Sequence, residues 1–217
     1  MTAIDIYNNN KSIYDQLIIS FQTQNSIINL SSFNDTESIL QKHILDSLHI
    51  FEFNEFENLL IKKDGNTYLL KIADIGTGGG FPGLAVAIAL PHISFYLIES
   101  ITKKCKAVLV MLEELGLKNV VVINKRAEDI NKNDFINISS DTSNISYSSY
   151  SSLKLDFADI TISRAVTQFD KIMEWSKYIT KANGSIYLYK GLKEEITGFK
   201  EKKEYNILND TRVIYRF

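Results

Sequence analysis

Apolar residues recur at helical spacing in the first part of the chain. Ile13, Leu17 and Phe21 make one stripe, and Leu40, Ile44, Leu48 and Phe51 another, so residues 1 to about 60 are expected to be helical. Asn34 or Asp35, ahead of Thr36-Glu37-Ser38, offers a side-chain oxygen as a helix cap. From Tyr68 the pattern changes to short apolar runs separated by amphipathic stretches. The runs Tyr68–Ile75, Ile93–Glu99, Asn119–Asn124, Phe157–Ser163, Gly184–Lys190, Lys203–Leu208 and Arg212–Phe217 predict strands, with helices starting near Pro82, Thr102, Gln168 and Lys193. Such alternation predicts an α/β fold, a parallel sheet with helices on both faces. The turn signal Asn209-Asp210 adds an antiparallel hairpin at the end. In the helix from Thr102 to Leu115, Cys105, Val108, Met111 or Leu112, and Leu115 share one face, so Cys105 is expected to pack as a small hydrophobe.

Between the first strand and the next helix lies Asp74-Ile75-Gly76-Thr77-Gly78-Gly79-Gly80-Phe81-Pro82-Gly83. Glycines there let a ligand approach the backbone, and Pro82 suits a helix start. Two ligands fit. The stretch satisfies G-x-G-x-x-G, a dinucleotide fingerprint. It also fits the S-adenosylmethionine (AdoMet) loop of class I methyltransferases. Asp74, ending the strand, would repel a pyrophosphate but could hold the cationic end of AdoMet. Glu99, ending the next strand, is placed to accept the hydroxyls of a ribose, which both ligands carry.

The remaining composition narrows the picture without deciding it. The 217 residues suit one α/β core with a helical addition: residues 1–66 as the extension, packed on a core of residues 67–217. Eight serines between Ser139 and Ser152 mark residues 137–153 as a flexible surface insertion, because the segment has little to bury. One cysteine and three scattered histidines form no metal-site pattern, so no metal is expected. No apolar run is long enough to span a membrane, and Met1 to Lys11 lacks the basic start and apolar core of a secretion signal, which points to the cytoplasm. A net charge of −2 argues against a protein held on nucleic acid by bulk charge, yet leaves room for a local patch such as Lys103, Lys104 and Lys106.

Six blocks in order make the chain resemble the bacterial small-subunit ribosomal RNA guanine-N7 methyltransferase family (RsmG/GidB). They are Asn29-Leu30-Ser31-Ser32 with Lys42-His43-Ile44-Leu45-Asp46-Ser47-Leu48; the glycine loop with its Pro-Gly; Glu99-Ser100 with Lys103-Lys104; Arg126-Ala127-Glu128; Ile162-Ser163-Arg164-Ala165; and Lys190-Gly191. The resemblance implies a class I methyltransferase (Rossmann-like) fold, mostly parallel with a terminal antiparallel hairpin. It implies AdoMet as cofactor and N7 of one guanine in the 530 loop of 16S ribosomal RNA as acceptor. The partner would be that RNA or the small ribosomal subunit, and the protein a cytoplasmic monomer. The cofactor would lie against Asp74, Gly76, Thr77, Gly78, Gly80, Phe81, Glu99, Ala127, Glu128 and Arg164. The acceptor side would draw on Arg164, Lys190, His43 and Ser47, with Arg164 meeting a phosphate or base edge, or else forming an internal ion pair with Asp74 or Glu99. An NAD-dependent oxidoreductase and a non-catalytic AdoMet-binding regulator are the alternatives.

Overall fold

The computed structural model describes residues 1–61, 70–130, 157–164, 168–192 and 196–217. The boundary expected near residue 66 and the serine-rich stretch at 137–153 lie outside these. Seven strands form one sheet: β1 (Lys71–Ile75), β2 (Ser94–Ile98), β3 (Val120–Ile123), β4 (Ala158–Arg164), β5 (Thr180–Gly191), β6 (Glu201–Ile207) and β7 (Asp210–Arg216). Their order is β3-β2-β1-β4-β5-β7-β6; the first five are parallel, and β7 and β6 close the sheet antiparallel. The expected sheet and closing hairpin are therefore present. The expected helix near Lys193 is not seen: 193–195 are outside the described residues, and 196–200 lead in extended and bent form into β6.

Side chains alternate across the pleat, so each strand feeds two cores. Ile72, Phe95, Leu97, Ile162 and Tyr187 point to one face, and Ala73, Ile75, Tyr96, Ile98 and Leu188 to the other. The second face is covered by α8 (Phe169–Ile179), through Ile172 and Met173. On the first face lie α6 (Gly83–Ala89) and α7 (Thr102–Leu115), which Gly116 ends in left-handed conformation at φ 64°. Cys105 is buried in α7, and burial pushes its thiol up to about 11, as suits a packed residue.

The N-terminal helices share that first core. They are α1 (Ala3–Asn9), α2 (Lys11–Ile28), α3 (Thr36–Ile39), α4 (Asp46–Leu48) and α5 (Asn54–Ile61). Leu17, Phe21, Ile44, Leu48 and Phe51, picked out by their spacing, are all buried there. Asp35 caps α3 by accepting from the Ser38 N–H at 2.8 Å. Between α3 and α4, Leu40–Leu45 winds as a π-helical turn, which the apolar pattern did not announce. Directly after it, Asp46, Ser47 and Leu48 are all buried. Long side chains from the sheet bind this segment across the core: the Tyr189 hydroxyl donates to the Ser47 carbonyl at 2.6 Å, and that of Tyr205 to Asp46 Oδ1 at 2.9 Å.

Candidate active site

Strand order reverses at β1, whose neighbours are β2 and β4, so the loops leaving β1 and β4 part and leave a crevice at the carboxyl edge. A cavity of about 400 Å³ occupies it, within the range usual for small-molecule sites. The β1–α6 loop forms its floor. Gly76 and Thr77 both donate from backbone N–H to the Ile98 carbonyl, at 2.8 and 3.0 Å, which ties the loop to β2. Gly76 and Gly78 stand at φ 71° and 60°, a region that favours glycine. A Cβ on Gly78 would meet only the Gly76 carbonyl, 4.0 Å away, so this backbone is open to a ligand. Gly79 and Gly83 are small for another reason. A Cβ at Gly79 would lie 2.7 Å from the Phe21 ring, and one at Gly83 would collide with Leu97 and Asp74.

Asp74 departs from expectation. It is fully buried and does not line the cavity. Its Oδ2 accepts from Thr77 Oγ1 at 2.7 Å and from the Gly83 N–H at 2.8 Å, so it braces the loop from behind. The reason is the tight β1–loop–α6 turn, which brings Gly83 back over the end of β1. Oδ1 is buried without a partner, and burial raises the carboxyl from 3.8 to about 6. A carboxyl raised on folding makes the native state bind its proton more tightly. Its contribution to stability therefore falls as pH rises from about 4 to about 6, and is constant above. Asp74→Asn removes this titration. By urea denaturation, the variant should gain on the parent by about 2.5 kcal/mol between pH 4 and pH 7, most of the roughly 3 kcal/mol that 1.36 kcal/mol per pKa unit gives over the whole titration. A difference that does not vary with pH would mean that Asp74 is ionised at little cost.

Glu99 directly follows β2, is 7% exposed and lines the cavity. Oε2 accepts from the Gly78 N–H at 3.0 Å and Oε1 from the Ile101 N–H at 2.8 Å. Ser100 Oγ also approaches Oε1, at 3.4 Å, so of the roughly four acceptor sites of the carboxylate one, on Oε2, remains for a ribose hydroxyl. Ala127 and Glu128, in the short turn after β3, line the same end, as do Lys104, Lys125 and Arg126. Open glycine backbone, a carboxylate on the second strand and an apolar contact on the third make a cradle that AdoMet fits. Of the other loop residues, Phe81 lines the cavity, while Gly80, at φ 97°, is turned against Leu84.

The opposite end is walled by the N-terminal extension and β4. His43 stacks on Phe81, centroids 4.9 Å apart. Arg164 lines the cavity but directs its guanidinium inward. Nη1 donates to Asp46 Oδ2 at 2.6 Å and to the Lys42 carbonyl at 3.3 Å, and Nη2 to His43 Nδ1 at 3.3 Å. The pair is buried, with 12% and 5% of the side chains exposed. Thus Arg164 does form an internal ion pair, but with Asp46 rather than with Asp74 or Glu99. Two other expected acceptor residues are displaced. Ser47 is fully buried, its hydroxyl donating to the His43 carbonyl at 2.5 Å, and Lys190, near the end of β5, does not line the cavity. Phe21, Ser31 and Trp175 are among the lining residues that were not expected at the site.

Ser31 Oγ and His43 Nε2 are 2.9 Å apart, which invites comparison with a nucleophilic Ser-His pair. The third member is of the wrong sign. A triad carboxylate would accept the Nδ1 proton and support imidazolium. Here a guanidinium donates to Nδ1, and burial together with Arg164 lowers His43 to about 3. It is a neutral wall, not a base. Among the described residues no His/Cys/Asp/Glu cluster could hold a metal, and no helix is long and apolar enough to cross a membrane.

Comparison with known proteins agrees with this geometry. The family model described as rRNA small subunit methyltransferase G matches residues 9–215. The chain is 37% identical over 212 residues to the ribosomal RNA small subunit methyltransferase G of Flavobacterium psychrophilum, covering 94% of this chain and 85% of that one. It is 34% identical over 198 residues to that of Mycoplasma capricolum, with 90% and 71% covered. Among solved structures, a SAM dependent methyltransferase from Aquifex aeolicus superposes with TM-score 0.54 at 16% identity, over 84% of this chain and 93% of that one. The METTL16 MTase domain gives 0.54 at 15%, over 80% and 67%. The fold is that of the AdoMet-dependent class I methyltransferases, the nicotinamide alternative is set aside, and the chain belongs to the rRNA small subunit methyltransferase G family.

Proposed function

We propose that this protein methylates N7 of a single guanine in 16S ribosomal RNA, as a cytoplasmic monomer acting on the RNA or on the small subunit. The observation that carries the reading is the neutral wall at the acceptor end. The imidazole there is held near pKa 3 and the neighbouring guanidinium is paired with Asp46, so this wall supplies no general base and no uncompensated charge. Guanine N7 needs no base, because it presents an in-plane lone pair and carries no proton. Positive charge grows on the purine as the new bond forms, so an unpaired cation beside N7 would oppose the reaction. AdoMet, when bound, supplies an already activated methyl group. Gly76, Thr77, Gly78, Glu99 and Ala127 would hold it, with Phe81 between the two ends and Asp74 fixing the loop from behind. The remaining work is positioning and exclusion of water, and proximity with orientation can lower a barrier by roughly 7–11 kcal/mol.

The test is methyl transfer to small subunits that lack the mark, with the modified nucleoside identified by mass spectrometry. N7-methylguanosine at one position is expected, at a rate flat between about pH 6.5 and 9 because no base must ionise. Methylation at a ribose hydroxyl or an exocyclic amine would overturn the reading. AdoMet binding without any transfer would favour the non-catalytic regulator.

A further inference from the structure

Ser31 is held more tightly than a loop serine requires. Its N–H donates to Asn25 Oδ1 at 2.8 Å, and its carbonyl accepts from Asn25 Nδ2 at 3.1 Å. The buried Asn25 side chain thereby pins the turn after α2 on both sides, and its Nδ2 reaches the Phe33 carbonyl too. Ser31 lines the cavity, with its hydroxyl beside His43 Nε2.

The direction of each hydrogen bond here follows from chemistry. A guanidinium only donates, so His43 Nδ1 must accept from Arg164. A neutral imidazole then carries its proton on Nε2, which donates to Ser31 Oγ. The Phe33 N–H donates to the same oxygen at 3.1 Å. Both lone pairs of Ser31 Oγ are therefore engaged, and the one thing the hydroxyl can still do is donate. Arg164, anchored by Asp46, donates to His43, and His43 donates to Ser31. The chain of donation therefore starts at the guanidinium and leaves the hydroxyl of Ser31, a residue that lines the cavity, as its last donor.

That hydroxyl stands at the acceptor end. Glu99 and Ala127 follow β2 and β3, whereas Arg164 ends β4, two and three strands away in the order β3-β2-β1-β4. At about 4.8 Å per strand, this is roughly 10–14 Å. We infer that Ser31 is a specificity-determining residue that donates a hydrogen bond to O6 of the target guanine, and that Asp46, Arg164 and His43 act as positioning residues that keep it a donor. Guanine carries an acceptor at this position beside N7, whereas adenine carries an amine that a donor-only hydroxyl cannot serve. A site built to bond a polar group rejects the analogue that lacks it. The inference rests on the function proposed above.

The test compares Ser31→Ala and Ser31→Thr with the parent on small subunits reconstituted with 16S RNA carrying either guanine or 2-aminopurine at the target. 2-Aminopurine keeps N7 and lacks O6. The parent should lose about 10- to 100-fold in kcat/KM on 2-aminopurine. Ser31→Ala should be about 10-fold slower on guanine, with its discrimination between the two bases reduced by the same factor. Ser31→Thr should behave as the parent. Calorimetry should show AdoMet affinity unchanged in all three. The inference is overturned if Ser31→Ala keeps the parent's rate on guanine, if it discriminates as the parent does, or if its AdoMet affinity falls along with its rate. Failure of the parent itself to methylate guanine N7 would instead remove the underlying function, and this inference with it.

Discussion

Arg164→Ala will lower the stability of the folded chain by about 3–5 kcal/mol, the range found when one partner of a buried ion pair is removed. The loss comes from what remains. Asp46 stays 5% exposed, with the Tyr205 hydroxyl on Oδ1 and nothing charged on Oδ2. For a chain of 217 residues, each kcal/mol moves the melting temperature by about 2–4 °C, so a fall of about 6–20 °C is expected. Arg164→Lys should lose less, because an ammonium can still meet Asp46. It cannot hold Asp46 and His43 in one rigid fork, so methyl transfer should fall more than stability does. Adding Asp46→Ala to Arg164→Ala should recover part of the stability, since the stranded charge goes with it. A melting temperature unchanged in Arg164→Ala would show that Asp46 finds water or another partner, and that the ion pair does not hold the extension on β4.

AdoMet affinity is the other quantity expected to move strongly. Glu99→Ala should weaken it about 10- to 100-fold, since hydrogen bonds to a charged group contribute about 1.5–3 kcal/mol. The variant also releases the Gly78 N–H, which Glu99 holds at 3.0 Å, so the loop floor loses its fixed position as the ribose loses its acceptor. Glu99→Gln keeps one carbonyl oxygen and should fall in between. Titration calorimetry with S-adenosylhomocysteine separates the three proteins. A folded Glu99→Ala with parental affinity would remove Glu99 from the ribose and leave it as a loop brace, the part that Asp74 plays behind the same turn.

Much of this protein was decided locally, and the sequence carries it. Alternating apolar runs specify the parallel sheet because side chains on a strand repeat every second residue. Glycines with a following Pro-Gly announce the ligand loop, and acids ending β1 and β2 mark the carboxyl edge. Six spaced blocks identify the family. What the sequence could not show is where a polar side chain points once the chain has closed on itself. Asp74 and Glu99 look alike as strand-ending acids, yet Gly83 folds back over one and leaves the other facing the cavity. Asp46 meets Arg164 across 118 residues and Tyr205 across 159. Spacing along a helix does not reveal such partners, and the π-helical turn just before Asp46 has no apolar signature. Ser31, quoted in the first of the six blocks, was given no role for the same reason: its hydroxyl became a fixed donor only through His43 and Phe33, and His43 through Arg164. Periodicity specifies which face of an element is buried. The direction of a proton in a buried network depends on every partner at once, and only the tertiary structure assembles them.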